Sequence, residues 1–139
     1  MLTKFYFDYR EFCIEDSDCG SVVLDKLYRN FILPLSVIRE KYGRKIFVSK
    51  KSGYRSVRYE LSRDRSGDSE HTFVHGGAVD LIWSPILQDL IMESKCFGRV
   101  IVYPDRGFMH LDLVWVSEGR PCLYHTYDDG RTLKLIRCG

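Results

Sequence analysis

Apolar positions recur along this chain at two different spacings, and the spacing separates its elements. Between residues 22 and 42, Val23, Leu24, Leu27, Phe31, Leu35 and Ile38 return every three or four positions, which predicts a helix with one buried face. Pro34 interrupts that pattern and predicts a kink or a division, because proline has no N–H to bond the preceding turn. Gly43 is a natural stop. A second helix is predicted from Pro85 to about residue 94, with Ser84 as its cap and Pro85 in its first turn. Short alternating or wholly apolar runs at 2–8, 45–49, 77–83, 99–103, 108–116, 122–127 and 131–136 read as strands, with Asp128-Asp129-Gly130 as a turn. The polar stretches at 15–21 and 50–70 read as loops. A helix followed by mostly antiparallel strands and one more helix predicts an α+β domain, a small antiparallel sheet with flanking helices.

Composition narrows this picture. A chain of 139 residues predicts a single domain, 1–139. With 45% hydrophobic and 14% aromatic residues it has the material for a core, which argues against extensive disorder. The 21 basic and 19 acidic residues nearly cancel, so there is no electrostatic case for nucleic acid as a partner. The basic residues between Arg39 and Arg65 are diluted by Glu40, Glu60 and Asp64 and read as a solvated surface. No apolar run is long enough to span a bilayer. The opening Met1-Leu2-Thr3-Lys4-Phe5-Tyr6 lacks the apolar stretch of a secretory signal, so synthesis in the cytoplasm is expected, with another route for any export. Five cysteines, an odd number with no CxxC pair, predict reduced structural thiols. A monomer is expected.

Candidate chemistry lies among the four histidines. His71 precedes Gly76-Gly77-Ala78-Val79-Asp80, and His110 lies in Phe108-Met109-His110-Leu111-Asp112. A catalytic zinc takes three protein ligands and keeps one position open for water, and imidazole and carboxylate both suit it. A loop bearing one histidine, a strand bearing an aspartate and a distant strand bearing a second histidine can converge on one ion. The glycine pair would let the chain turn sharply between the first two ligands.

Three segments, in order, resemble the zinc D-Ala-D-Ala carboxypeptidase and murein endopeptidase superfamily, which also includes the hedgehog signalling fold. They are Ser52-Gly53-Tyr54-Arg55-Ser56, then Ser69-Glu70-His71 running on to Gly77-Ala78-Val79-Asp80, then Phe108-Met109-His110-Leu111-Asp112. The lead-in FYFDYREF and PLSVIREKYG is similar to a compact branch found in phages and bacteria, and the resemblance covers about residues 3–116. It implies a Zn2+ site of His71, Asp80 and His110, with Arg55 contacting substrate. It implies hydrolysis of D-amino-acid bonds in peptidoglycan stem peptides, an action on the cell wall such as phage lysis.

The chain departs from the family's pattern at two places. The stretch from His71 to Asp80 is longer than the family's; closing the gap would put Phe73 on the ligand position, with His75 as the fallback ligand. Gly107 stands where many members carry an acid or a histidine just before the last ligand. Asp105 is then the nearest upstream acid and the expected general base, with Asp112 as runner-up or as a partner that orients a ligand histidine. These departures keep open a second expectation, the same fold as a non-cutting module that binds cell-wall peptide or a partner protein.

Overall fold

The computed structural model describes residues 6–13, 19–49, 53–65, 67 and 69–139. The predicted strand at 2–8 and the loop at 15–21 lie largely outside these residues. The long amphipathic segment forms α1 (Ser21–Leu27), one wide π turn (Tyr28–Ile32) and α2 (Leu33–Tyr42). The wide turn falls just before Pro34, where the regular i→i−4 ladder must break, so the helix is divided as the proline predicts. Gly43 ends α2 in the left-handed conformation, with its N–H on the Arg39 carbonyl. The region expected as loop between residues 50 and 70 contains a short helix, α3 (Val57–Ser62), capped by the Ser56 hydroxyl on the Tyr59 N–H. The second predicted helix is α4 (Pro85–Ser94), capped by the Ser84 hydroxyl on the Leu87 N–H.

The domain is α+β, but its sheet is mixed and not wholly antiparallel. Five strands, β1 (Ala78–Ile82), β2 (Arg99–Tyr103), β3 (Phe108–Asp112), β4 (Cys122–Thr126) and β5 (Leu133–Cys138), lie in the order β1-β3-β2-β4-β5. The β2–β4 pair is parallel. The reason lies in the connection after β3. The chain leaves β3 at Asp112, directly opposite Arg99 at the start of β2. Residues 113–121 then bring it to Cys122, which pairs with the same Arg99. A strand that begins where β2 begins must run in β2's direction. Residues 45–49, expected as a strand, do not form a full one; Val48 makes a single antiparallel bridge to Leu81.

Alternation along the strands gives the sheet two unlike faces. Val79, Leu81, Val100, Val102, Met109, Leu111 and Leu123 face the helices and join Leu27, Phe31, Ile32, Leu35, Leu87 and Phe97 in one core. Each such buried side chain contributes roughly 1.5–3 kcal/mol relative to exposure. The register puts Asp80, His110 and Ile101 in one row on the other face, flanked by the row Ala78, Asp112, Arg99 and the row Ile82, Phe108, Tyr103. His125 pairs with Val102 and so faces away from these rows.

Candidate metal centre

Asp80 and His110 are directly opposed across β1 and β3, so the pleat alone places both side chains on one side. His71 comes to them from a one-turn 3-10 helix (Glu70–Thr72) whose start is capped by the Ser69 hydroxyl on the His71 N–H. Phe73 then turns the chain in the left-handed conformation, which costs a non-glycine residue about 1–3 kcal/mol. Its ring goes into the core against Phe31 and Tyr54, over Gly77. Side chains of the first helical segment hold the rest of the loop: Lys26 Nζ donates to the Phe73 and Val74 carbonyls, and the Asn30 amide to that of Gly76. The segment between His71 and Gly77 is thus held along its length. Phe73 is a core residue, and His75 is exposed and not among the clustered ligand groups.

The three candidate ligand atoms form a tight triangle. His71 Nε2 and His110 Nδ1 are 3.2 Å apart, His110 Nδ1 and Asp80 Oδ1 3.1 Å, and His71 Nε2 and Asp80 Oδ1 3.4 Å. Ligands about 2.0–2.1 Å from a tetrahedral zinc sit about 3.3 Å from one another. The far nitrogen of each histidine is already committed. His71 Nδ1 lies 2.9 Å from the Gly53 carbonyl, and His110 Nε2 2.7 Å from Asp112 Oδ2. A carbonyl and a carboxylate only accept, so both far nitrogens carry protons. The near nitrogens of the neutral rings, with Asp80, are then three lone pairs aimed at one point. They require a cation between them, or a proton in its place.

In the metal-free protein that proton is on His110. Burial opposes its charge, but the hydrogen bonds to Asp112 and Asp80 outweigh burial and push its pKa up to about 9. Burial likewise opposes the charge on Asp80, and the bond from protonated His110 outweighs it and holds its carboxyl well below the usual carboxylate range. The residues therefore fit a zinc ion: two neutral imidazoles, one ionised carboxylate and a partly open side at Asp80.

Asp112 has no exposure and no free lone pair. Its oxygens accept from His110, from Arg99 Nε (3.0 and 3.1 Å) and Nη2 (2.6 Å), and from the Val114 N–H (2.9 Å). It orients His110, and an acid so saturated cannot also take a proton from water. Asp105 is exposed in the turn between β2 and β3, on the wall of a small cleft shared with Tyr103, Arg106 and Asp128. Arg55 is brought beside His71: its N–H donates to the His71 carbonyl at 2.8 Å. Its buried Nε lies 3.6 Å from Glu60, a fully buried carboxylate that also accepts from Arg65 at 2.6 Å.

Sequence reasoning missed the groups that hold these residues. Arg99 and Glu60 are anchors for Asp112 and Arg55, and only the period-two alternation, which puts Arg99 in line with Asp112, offered a signal. Tyr103 stacks on Phe108, and burial and the nearby Asp80 charge raise its hydroxyl pKa. The Gly53 carbonyl has no sequence signal at all.

The cysteines are a further correction. Cys122 and Cys138 form a disulfide across the β4–β5 pair, and Cys13 and Cys19 form a second; Cys96 is free. Strand pairing, invisible in the spacing of sixteen residues, brings the first pair together. Among the described residues no helix is long and apolar enough to cross a membrane. No family model, no curated protein and no solved structure matches the chain.

Proposed function

We propose that this chain is a zinc-dependent peptidase that hydrolyses D-amino-acid peptide bonds of bacterial peptidoglycan, in a hedgehog-like D-Ala-D-Ala-peptidase fold. One observation carries the metal part: His71 Nε2, His110 Nδ1 and Asp80 Oδ1 converge within 3.1–3.4 Å while the outer nitrogens of both rings are tied to acceptors. The substrate class rests on the resemblance of the three segments around Arg55, His71–Asp80 and His110. Two disulfides fit action on a cell wall, since such bonds persist in oxidising surroundings.

Bound zinc would polarise the scissile carbonyl and make a coordinated water a nucleophile near neutral pH. Around it the chain's own groups divide the work. Asp112, locked by Arg99, keeps the His110 ring in one tautomer. Arg55, steadied by Glu60, presents the rest of its guanidinium to a substrate carboxylate. Asp105, exposed in the turn between β2 and β3, would be the group to accept the proton of the attacking water and pass it to the leaving amine. The non-cutting binding module is the second reading, favoured by Gly107 and by the exposed position of Asp105 in its turn.

The test is metal analysis followed by incubation with a defined stem peptide. The purified protein is expected to hold one zinc per chain and His110→Ala none; equal zinc in both would remove the proposed ligand set. The parent should release a D-amino-acid product seen by mass spectrometry, and Asp105→Asn should lose roughly 10²–10⁴-fold in rate with zinc retained. Zinc without hydrolysis selects the binding module.

A further inference from the structure

His71 is held at both its ring and its main chain by one short segment. The Gly53 carbonyl accepts from its Nδ1 at 2.9 Å, and the Arg55 N–H donates to its carbonyl at 2.8 Å. That segment has little freedom of its own, because another strip of chain lies directly behind it. The Tyr54 N–H donates to the Phe12 carbonyl at 2.6 Å, and Cys13 forms a parallel bridge with Tyr54. The contact is so close that a Cβ on Gly53 would fall on the Phe12 carbonyl. Phe12 is itself buried at the end of a 3-10 turn (Tyr9–Phe12) closed by a capping box between Asp8 and Glu11.

Cys13 then bonds to Cys19, two residues before α1 begins. The same helix reaches the far side of the His71 turn through Lys26, whose ammonium holds the Phe73 and Val74 carbonyls. Both flanks of the turn are therefore tied to α1, one by an ammonium and one by the path Cys19–Cys13–Tyr54–Gly53.

We propose that the Phe12–Cys13 strip, fastened to α1 by the Cys13–Cys19 disulfide, is the positioning element that fixes the His71 ring and so sets the affinity of the metal centre. The affinity half rests on the zinc reading above; the positioning half does not. Removing the bond leaves the Phe12–Tyr54 contact joined to α1 only through the main chain, without the cross-link that closes that path. The Gly53 carbonyl then no longer holds the Nδ1–H tautomer, and Nε2 is no longer presented as a lone pair. Groups that orient a ligand histidine typically govern metal affinity by about 10–100-fold.

Two measurements test this on the full chain. The first is the tautomer of His71 in metal-free protein, read from its imidazole 15N–1H correlations. The parent is expected as the Nδ1–H form, Cys13→Ser/Cys19→Ser as a mixture, and Cys122→Ser/Cys138→Ser as the parent. The second is zinc affinity by chelator competition, with a loss of about tenfold or more expected for Cys13→Ser/Cys19→Ser. Native core methyl signals in the same spectra establish that each variant is folded. If the double variant does not fold, Cys19→Ser alone, which leaves Cys13 against Tyr54, decides by the same readouts. A folded variant with the parent's tautomer and affinity overturns the proposal. A parent that binds no zinc, with a tautomer that still shifts when the bond is removed, overturns the zinc reading and leaves the positioning role standing.

Discussion

His110 stands on an interior strand and is held by buried side chains, whereas His71 stands on a single turn and is held by main-chain groups of a distant segment. Both present one nitrogen to the same point. The strand anchor is charge-assisted and multiple: Asp112 takes bonds from His110, Arg99 and Val114. The loop anchor is two neutral hydrogen bonds, the ring to the Gly53 carbonyl and the Arg55 N–H to the His71 carbonyl, backed by packing. The contrast separates what holds the fold from what tunes the centre. Breaking the strand anchor should damage both, and breaking the loop anchor chiefly the second.

Asp112→Ala is the sharpest way to break that contrast. It leaves the Arg99 guanidinium and the His110 Nε2–H without their acceptor in a buried place. Removing one partner of such a pair costs about 3–5 kcal/mol. The variant is expected to lose that much in urea unfolding of metal-free protein and to bind zinc poorly. Parent-like stability would mean that Arg99 and His110 find other partners, and the strand anchor would no longer differ in kind from the loop anchor.

A pH series sharpens the same point without mutation. The folded pKa of His110 is raised to about 9, above its ordinary value of 6.5. A group whose pKa rises on folding adds stability that is fully present below the unfolded value and is lost as pH climbs through the folded one. Metal-free protein should therefore lose on the order of 3 kcal/mol between pH 6.5 and 9, at about 1.4 kcal/mol for each tenfold difference in proton affinity between the folded and unfolded chain. Zinc must displace that proton, so its affinity should rise across the same window, up to about tenfold per pH unit. Urea midpoints with and without zinc at several pH values give both slopes, and parallel slopes would mean that no proton leaves His110 when the metal enters.

Arg55→Ala probes the segment that carries the loop anchor. Its guanidinium is mostly buried beside Glu60, and the proposed carboxylate contact is charge-assisted. A loss near 1.4 kcal/mol would raise KM for a stem peptide about tenfold, with kcat little changed. An unchanged KM would leave Arg55 as a partner of Glu60 alone.

What the sequence disclosed follows from the same contrast. Strand alternation put Asp80, His110 and Asp112 on legible positions, and helix spacing with Pro34, Gly43 and Ser84 marked both long helices near their observed bounds. These signals are local, with periods of two and three to four residues. The parallel β2–β4 pair, both disulfides, the Arg99–Asp112 pair and the Gly53–His71 bond join positions 13 or more residues apart, or, for Cys13 and Cys19, close a short loop with no motif around it. None of them leaves a periodic trace. The short helix α3 was missed because its Arg-, Ser- and Tyr-rich stretch spans under two turns, and tertiary burial of Tyr59 and Glu60 decides it.

The smallest effect expected is at His75, the other histidine of the loop. If the loop were shorter by the length of the departure, this segment would shift and a different residue would meet Asp80. In the structure the question is closed by Phe73, whose ring is buried between Phe31 and Tyr54 and whose left-handed backbone sends His75 outward. His75→Ala should then change stability by no more than about 0.5 kcal/mol, the usual range for an exposed site, and leave zinc content as in the parent, while His71→Ala removes the metal. A fall in zinc on losing His75, with His71→Ala silent, would mean that the loop closes on its second histidine, and the Gly53 anchor would then be holding a packing residue instead of a ligand.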